Sequence, residues 1–129
     1  MGYYSKVAIQ ATEKVYEKIM SSVKEYNERT GNQFLPDKTF IRSTVKRGFE
    51  YVMYWENVKW YENFPDIQSI LSVLDEIDKM GNPDFQYELI RVGEENGDIE
   101  NRCNNILYSD SISTDTIIEI DDSFNEIIK

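Results

Sequence analysis

The sequence contains no histidine and only one cysteine, Cys103, among its 129 residues. Histidine is the commonest general base and metal ligand in proteins, so its absence removes the usual centre of acid–base and zinc chemistry. A single cysteine cannot form an intrachain disulfide or a thiolate zinc site, and without histidine it has no partner for nucleophilic catalysis. We therefore predict a cytoplasmic protein that is not an enzyme and has no cofactor.

Long apolar runs and glycine-rich phosphate loops are also missing. No stretch approaches the roughly 20 apolar residues that span a bilayer, and Met1–Lys6 lacks the apolar run of a signal peptide. The six glycines form neither a Walker motif nor a dinucleotide fingerprint. The polar run Glu94–Asn101 resembles a divalent-cation loop in composition but fails the EF-hand spacing. We expect a solvated turn there and no metal site.

The residues that are abundant are apolar, aromatic and acidic. Hydrophobic residues make up 40% of the chain and aromatic residues 13%, which is enough for a core in a single domain spanning residues 1–129. The net charge is −10, and it is uneven. Residues 94–129 hold ten acidic residues against Arg102 and Lys129, a net charge of −8. Such a surface repels nucleic acid and favours basic clefts, although the same acids could simply keep the protein soluble.

Residue periodicity predicts alternating strands and helices. One helix is expected to follow a capping Thr12 and to stop at Gly31, and a second to begin at Pro65 and stop at Gly81. The segment Gly93–Asn105 is expected to form a polar loop. The predicted strands are Tyr3–Gln10, Thr39–Val45, Phe49–Trp55, Phe85–Val92 and Thr116–Ile120, with another short strand within Ile106–Asp115.

This succession predicts an α+β fold. The order β-α-β-β-α-β is typical of the ferredoxin-like split arrangement, in which two helices pack on one face of an antiparallel sheet. The acidic segment 94–129 would add a C-terminal β extension. The fold alone indicates no activity, because it supports many unrelated functions.

The segment from Trp55 to Glu62 concentrates aromatic and charged side chains. Alternation along an extended chain places Val58 and Trp60 on one side and Lys59 and Tyr61 on the other. We expect Trp60 to belong to the core and Tyr61 to be exposed. Exposed aromatic residues flanked by charge are typical of binding hot spots.

Three short motifs follow one another along most of the chain: Met1–Val7, Trp55–Tyr61 and Arg91–Glu94. With them the chain resembles a group of small proteins carried by phages and prophages. Those proteins open with Met-Gly-Tyr-x-Ser-x-Val and share the pieces Trp-x-x-Val-Lys-Trp-Tyr and Arg-x-Gly-Glu. The resemblance implies a phage protein in the cytoplasm of a bacterial host, but no particular activity. The longer tail, Asp110–Lys129, departs from the group and carries six of the ten C-terminal acids.

The first functional hypothesis is a phage-encoded inhibitor of a host defence system, of the anti-CRISPR type. Its carboxylates would mimic the phosphates of DNA and occupy a basic nucleic-acid-binding cleft of a host protein such as a CRISPR effector. Direct binding of nucleic acid or membrane is not expected. The candidate partner-binding residues are Glu94, Glu95, Asp98, Glu100, Asp110, Asp115, Glu119, Asp121, Asp122, Lys59, Tyr61 and Glu62.

Two alternatives come from other classes of protein. A small-molecule binder could sequester a nucleotide defence signal by stacking its base on aromatic rings and holding its phosphate with arginine. The candidate pocket residues for that function are Tyr51, Tyr54, Trp55, Tyr87, Arg42 and Arg91. The third hypothesis is an enzyme that uses a pair of carboxylates, although no spacing singles out a pair. The sequence leaves the oligomeric state open.

Overall fold

The computed structural model describes residues 3–42, 50–95 and 97–104, together with the backbone of three short strands at 112–114, 118–120 and 124–126. This part of the chain confirms the α+β prediction. Its elements are β1 (Ser5–Ala11), α1 (Glu13–Thr30), β2 (Lys38–Arg42), β3 (Tyr51–Val58), α2 (Pro65–Met80), β4 (Tyr87–Gly93), β5 (Ile99–Asn104), β6 (Ile112–Thr114), β7 (Ile118–Ile120) and β8 (Phe124–Glu126).

Six of these strands form one antiparallel sheet in the order β5-β4-β1-β3-β2-β8. The inner order β4-β1-β3-β2 is consistent with a ferredoxin-like arrangement. Strands β6 and β7 pair with each other in a separate two-stranded sheet. Because β1 has neighbours on both sides, the first strand of the chain lies at the centre of the fold.

The two helices pack on one face of the sheet, which we call the helix face. Each helix buries the apolar stripe that its spacing predicts, and both stripes meet the sheet around Ile9, Met53 and Leu89. The buried helical residues are Val15, Ile19, Val23 and Tyr26 in α1 and Ile67, Ile70, Leu74 and Ile77 in α2. Neither helix is long and apolar enough to cross a membrane, among the residues described.

The opposite face of the sheet, the second face, is also apolar at its centre. Ala8 and Val52 are fully buried there, and Ile90 and Val92 are nearly so. Strand β7 lies against β1. Since the helices cover one face of β1 and strands flank both of its edges, β7 reaches it across the second face. Of the C-terminal extension, the backbone of β7 therefore lies close to the second face.

The start of α1 differs from the prediction. Thr12 does occupy the capping position in an extended conformation, but its side chain makes no capping hydrogen bond. Its hydroxyl instead donates to the Asp84 carbonyl at 2.9 Å and accepts from the Gln86 amide at 3.2 Å. The Glu50 carboxylate accepts from the Glu13 amide at 3.2 Å, so a residue from another segment takes over the capping role.

The expected polar loop Gly93–Asn105 is wrong in its second half, because Ile99–Asn104 forms β5. This strand lies at the edge of the sheet, and its residues alternate between exposed and half-buried. An edge strand of polar residues shows no alternation of apolar and polar side chains, so its sequence resembles a loop. The real turn is short: Gly97 adopts a positive φ of 84°, and the Gly93 amide donates to the Asp98 carbonyl at 2.8 Å. Strand β8 was not predicted either.

Candidate interaction site

Three segments that are distant in the sequence meet at one end of the sheet. Ser5, the first residue of β1, pairs with Val58 at the end of β3 and with Gly93 at the end of β4. The N-terminal residues, the loop from β3 to α2 and the turn from β4 to β5 therefore lie together. We call this region the acidic corner. It comprises Tyr3, Tyr4, Ser5, Lys59, Tyr61, Glu62, Phe64, Arg91, Gly93, Glu94, Glu95, Asp98 and Glu100.

Arg91 is the centre of the corner, and its side chain is only 16% exposed. Its guanidinium donates to Asp98 at 2.9 and 3.2 Å and to Glu100 at 2.9 Å. It also donates to the Ser5 hydroxyl at 3.1 Å. The bonds to Arg91, and next the bond from Tyr3, hold the pKa of Asp98 below its ordinary value. Bonding to Asp98 in turn raises the pKa of Arg91, so both groups stay charged.

Tyr3 connects the N-terminal segment to the other two. Its hydroxyl donates to Asp98 at 2.6 Å and accepts from the Glu95 amide at 2.9 Å. Its backbone amide donates to the hydroxyl of Tyr61 at 2.7 Å. The bond to Asp98 is the main cause of the raised pKa of Tyr3. The phenol therefore stays protonated and keeps donating at neutral pH.

Gly93 leaves the space that this network occupies. A Cβ atom at this position would lie 2.1 Å from the Asp98 carboxylate and 2.4 Å from the Tyr3 hydroxyl. Any side chain would push both groups away from Arg91 and Glu95. The glycine in the Arg-x-Gly-Glu motif thus has a steric reason in this structure.

Exposed aromatic rings border the carboxylates. The Tyr4 amide donates to Glu94 at 2.6 Å, and the Tyr4 ring, 40% exposed, lies 5.6 Å from the Lys59 ammonium. Phe64 is 36% exposed and meets the ring of Tyr61 edge-on at 4.8 Å. Tyr61 itself is half-buried, so its predicted exposure is only partial. The corner thus presents aromatic and acidic groups side by side.

The negative surface continues from the corner along β5 to α2. Glu62 and Glu100 line a cavity of about 160 Å³ together with Asp75 and Arg102. Arg102 donates to Asp75 at 2.7 Å and to Asp78 at 2.8 Å. Burial lowers the pKa of Arg102, but its bonds to Asp78 and Asp75 outweigh that effect and raise it. Both arginines of this edge are therefore already paired with carboxylates of the same chain.

The structure brings seven of the twelve predicted partner-binding residues together in the acidic corner. They are Lys59, Tyr61, Glu62, Glu94, Glu95, Asp98 and Glu100. Asp110, Asp115, Asp121 and Asp122 lie outside the described residues, and of Glu119 only the backbone, in β7, is described. Among the described side chains, no group of three or more cysteine, aspartate or glutamate residues is arranged to hold a metal ion.

The six residues proposed for a small-molecule pocket do not line one cavity within the described part of the chain. Trp55 and Tyr87 are buried in the core of the helix face, and Tyr51 stacks on Tyr16 of α1 at 4.0 Å. Tyr54 faces the other way, next to Val52 and Ala8. Arg91 belongs to the acidic corner. The side chain of Arg42 lies outside the described residues.

Sequence reasoning missed several residues that build the corner and its continuation along β5. Tyr3 and Gly93 were present in the motifs but received no role. Asp75, Asp78 and Arg102 gave no signal, because their contacts join α2 to a strand that was taken for a loop. Phe64 immediately precedes α2, and its exposed ring was not anticipated.

No protein family matches this chain, and comparisons with curated proteins and with solved structures found no similar protein. The acidic corner is therefore interpreted from its own geometry and chemistry.

Proposed function

We propose that the protein inhibits a host defence system, in the manner of an anti-CRISPR protein, by inserting its acidic corner into a basic nucleic-acid-binding cleft of a host protein. The observation that carries this proposal is that the carboxylates of Asp98 and Glu94 are held in fixed positions by contacts from the N-terminal segment and from Arg91 of β4. The setting, a phage protein in a bacterial host, is supported by the three motifs that build the corner.

Fixed carboxylates suit the recognition of arginine and lysine. Glu94 is oriented by the Tyr4 amide, and the backbone of Glu95 is held by the Tyr3 hydroxyl, while both side chains remain exposed. A carboxylate binds a guanidinium through two parallel hydrogen bonds when its orientation matches. Groups that are ordered before binding lose less conformational entropy on association. The corner therefore has the properties of a surface prepared for cationic side chains.

The aromatic rings would add apolar contact area beside these charges. Tyr4 and Phe64 are the exposed rings of the corner, and each lies next to a residue of the network. Large rigid rings provide contact area at low entropic cost and dominate many interfaces. A basic cleft with apolar walls is the complementary surface.

The six acidic residues of Asp110–Lys129 remain part of the proposal because of their charge alone. They contribute most of the net charge of −8 in residues 94–129. Like-signed charge over a wide area accelerates association with an oppositely charged partner even where no contact forms. Their neutralisation should therefore slow association more than it speeds dissociation.

The proposal can be tested by competition with nucleic acid. Purified CRISPR effectors would be loaded with labelled guide or target nucleic acid, and its displacement by this protein would be measured. The wild type would be compared with the triple variant Glu62→Gln, Glu94→Gln, Glu95→Gln, which keeps the size of each side chain and one acceptor oxygen in each. Loss of three charge pairs should weaken competition at least about tenfold, equivalent to about 1.4 kcal/mol.

The matched control neutralises three exposed glutamates of α1, Glu17, Glu25 and Glu28, and so changes the net charge by the same amount. It should compete almost as well as the wild type, and competition by the wild type should weaken as salt rises. Equal losses in the two triple variants would show that only overall charge matters. Absence of competition with every effector tested, or binding that leaves the nucleic acid in place, would refute the proposal.

A further inference from the structure

The two outer strands of the main sheet differ in how well their edges are protected. Strand β8 has three residues, whereas β5 has six and contains neither proline nor lysine. Short strands, prolines and lysines are the usual devices that prevent edge-to-edge pairing. No described strand pairs with the outer side of β5. The β5 edge is therefore the place where this sheet can be extended.

The hydrogen-bond pattern shows which residues of β5 face outward. The Gly93 amide donates to the Asp98 carbonyl at 2.8 Å, so this opposed pair is a bonded one. Bonded and non-bonded pairs alternate in an antiparallel ladder. Glu100, Arg102 and Asn104 therefore direct their backbone groups toward β4. The backbone groups of Ile99, Asn101 and Cys103 point to the open edge, where the Ile99 amide bonds locally to the Gly97 carbonyl at 3.0 Å.

We propose that a second copy of this chain pairs with β5 through its own β5, antiparallel, with a two-fold axis at Asn101. The two Asn101 residues would then exchange their amide and carbonyl bonds. Each Cys103 amide would donate to the Ile99 carbonyl of the second copy. The two sheets would join into one continuous sheet, and the interaction goes beyond the proposed function because it requires no other protein.

The sequence of β5 is complementary to itself in this register. Glu100 of one copy would lie opposite Arg102 of the other, twice by symmetry, in the close spacing of a non-bonded pair. This contact would add to the intrachain ion pairs that Glu100 makes with Arg91 and Arg102 makes with two aspartates of α2. Ile99 lies opposite Cys103, which places an exposed apolar side chain against a small one. The strand carries one acid and one base. The strand itself is thus neutral, although each chain has a net charge of −10.

Other registers fit less well. A shift by one residue would place outward backbone groups opposite inward ones, which an antiparallel ladder does not allow. A two-fold axis at Ile99 or at Cys103 also places outward backbone groups opposite each other. Either axis, however, extends the pairing beyond the strand and separates Glu100 from Arg102. Of these three axes, only the one at Asn101 centres the contact on residues 99–103, which all belong to β5.

The first experiment removes the central hydrogen bond. Proline is tolerated at an edge position whose amide points away from the sheet, so Asn101→Pro should fold as a monomer. The matched control Asn101→Ala loses the same side-chain bond to Glu88 but keeps the backbone amide. Analytical ultracentrifugation over a range of protein concentrations should show a wild-type dimer. The Pro variant should dissociate at least about tenfold more readily, and the Ala variant should resemble the wild type.

The second experiment tests the register by disulfide formation. In a bonded pair the Cα atoms lie about 5.5 Å apart, within the range of a disulfide. The double variant Asn101→Cys, Cys103→Ser should therefore form a covalent dimer under mild oxidation. Ser72→Cys with Cys103→Ser places a single exposed cysteine on α2 as the control for random collision, and it should form no covalent dimer under the same oxidation.

A wild type that stays monomeric at every concentration would overturn the inference, and would leave the edge to a strand of another protein. A dimer that Asn101→Pro does not weaken, or one that cross-links equally through Ser72→Cys, would overturn it as well. If the Pro variant fails to fold, the disulfide experiment still decides. Because every readout is the mass of the isolated protein, failure here is distinguishable from failure of the proposed function.

Discussion

The core of the helix face and the acidic corner are stabilised by different forces. The core is built from apolar side chains such as Ile9, Ile70 and Leu74, all fully buried. The corner is built from directional contacts around Arg91 and Tyr3, and most of its residues keep some exposure to solvent. Apolar burial depends mainly on area, whereas ion pairs and hydrogen bonds depend on geometry. The two regions should therefore respond differently to substitution, to pH and to salt.

The comparison also shows which region suits which role. A close-packed core tolerates many apolar combinations of similar volume. In the corner a single added carbon at Gly93 would contact two members of the network. Residues in such a network depend on one another, so a substitution at one of them should displace the others and change the whole surface of the corner. We attribute most of the stability to the core, and recognition is the role that we propose for the corner.

The largest effect on folding is expected from a cavity in the core. Leu74→Ala removes a fully buried side chain from the centre of α2. Such substitutions cost about 2–5 kcal/mol, because transfer free energy is lost and the cavity fills only in part. The free energy of unfolding measured in urea should fall by this amount, with little change in the m-value.

The matched control is Leu35→Ala, which removes the same atoms from a residue that is 47% exposed. Its free energy of unfolding should change by less than about 0.5 kcal/mol. Similar losses in the two variants would mean that the helix face does not contain the core of the fold.

A smaller loss is expected from the centre of the corner. Arg91→Met keeps much of the side-chain volume but leaves Asp98 and Glu100 without their cation. Removing one partner of a fully buried pair costs about 3–5 kcal/mol, and the exposure of these carboxylates reduces the expected loss to about 2 kcal/mol. Urea denaturation is again the measurement.

Arg91→Lys separates charge from geometry. Lysine keeps the positive charge but cannot bond to two carboxylates through a planar fork. We expect the free energy of unfolding of Arg91→Lys to lie between those of the wild type and Arg91→Met. If Arg91→Lys and Arg91→Met are equally unstable, geometry accounts for the whole effect, and if neither is destabilised, the network does not contribute to folding.

The helices and the central strands could be predicted from the sequence because their signals are local. Val15, Ile19 and Val23 recur at helical spacing, and Gly31 and Gly81 end their helices with positive φ angles of 79° and 62°. Each of these signals lies within a few residues of the structure that it specifies. The same reasoning placed Trp60 in the core, where it is buried.

The acidic corner and β5 could not be predicted in this way because their causes are not local. Tyr3 and Asp98 are 95 positions apart, and no spacing rule connects them. Strand β5 is stabilised by its pairing with β4, and its own polar sequence carries no strand pattern. The capping of α1 by Glu50 has the same origin, since the capping group comes from another segment.

Acid should weaken the corner before it affects the core. The pKa of Asp98 is depressed in the folded protein, first by Arg91 and then by Tyr3, below its ordinary value of 3.8. The folded state therefore binds the proton less readily than the unfolded chain. The contribution of Asp98 is complete above about pH 4 and is lost as the pH falls through the folded-state pKa.

Asp98→Asn tests this pH dependence. The wild type should be more stable than the variant at neutral pH, and the difference should shrink as the pH falls below about 4. Leu74→Ala provides the contrast, because a change between two apolar residues should give a difference that is nearly independent of pH. A constant difference for Asp98→Asn would show that its charge does not stabilise the folded state.

The smallest effect is expected from an ion pair outside both regions. Lys18 and Glu76 join α1 to α2 at 2.7 Å, but their side chains are 37% and 57% exposed. Exposed pairs contribute about 0–1 kcal/mol, because solvent screens the charges and two flexible side chains must be ordered. A double-mutant cycle with Lys18→Ala and Glu76→Ala should give a coupling energy within this range, falling as salt rises.

The same cycle on Arg91 and Asp98 should give a larger coupling energy that salt reduces less, because Arg91 is more buried and binds Asp98 through two hydrogen bonds. Equal couplings and equal salt dependence would mean that the corner is an ordinary solvated surface, and the difference between corner and surface, on which the proposed recognition role depends, would disappear.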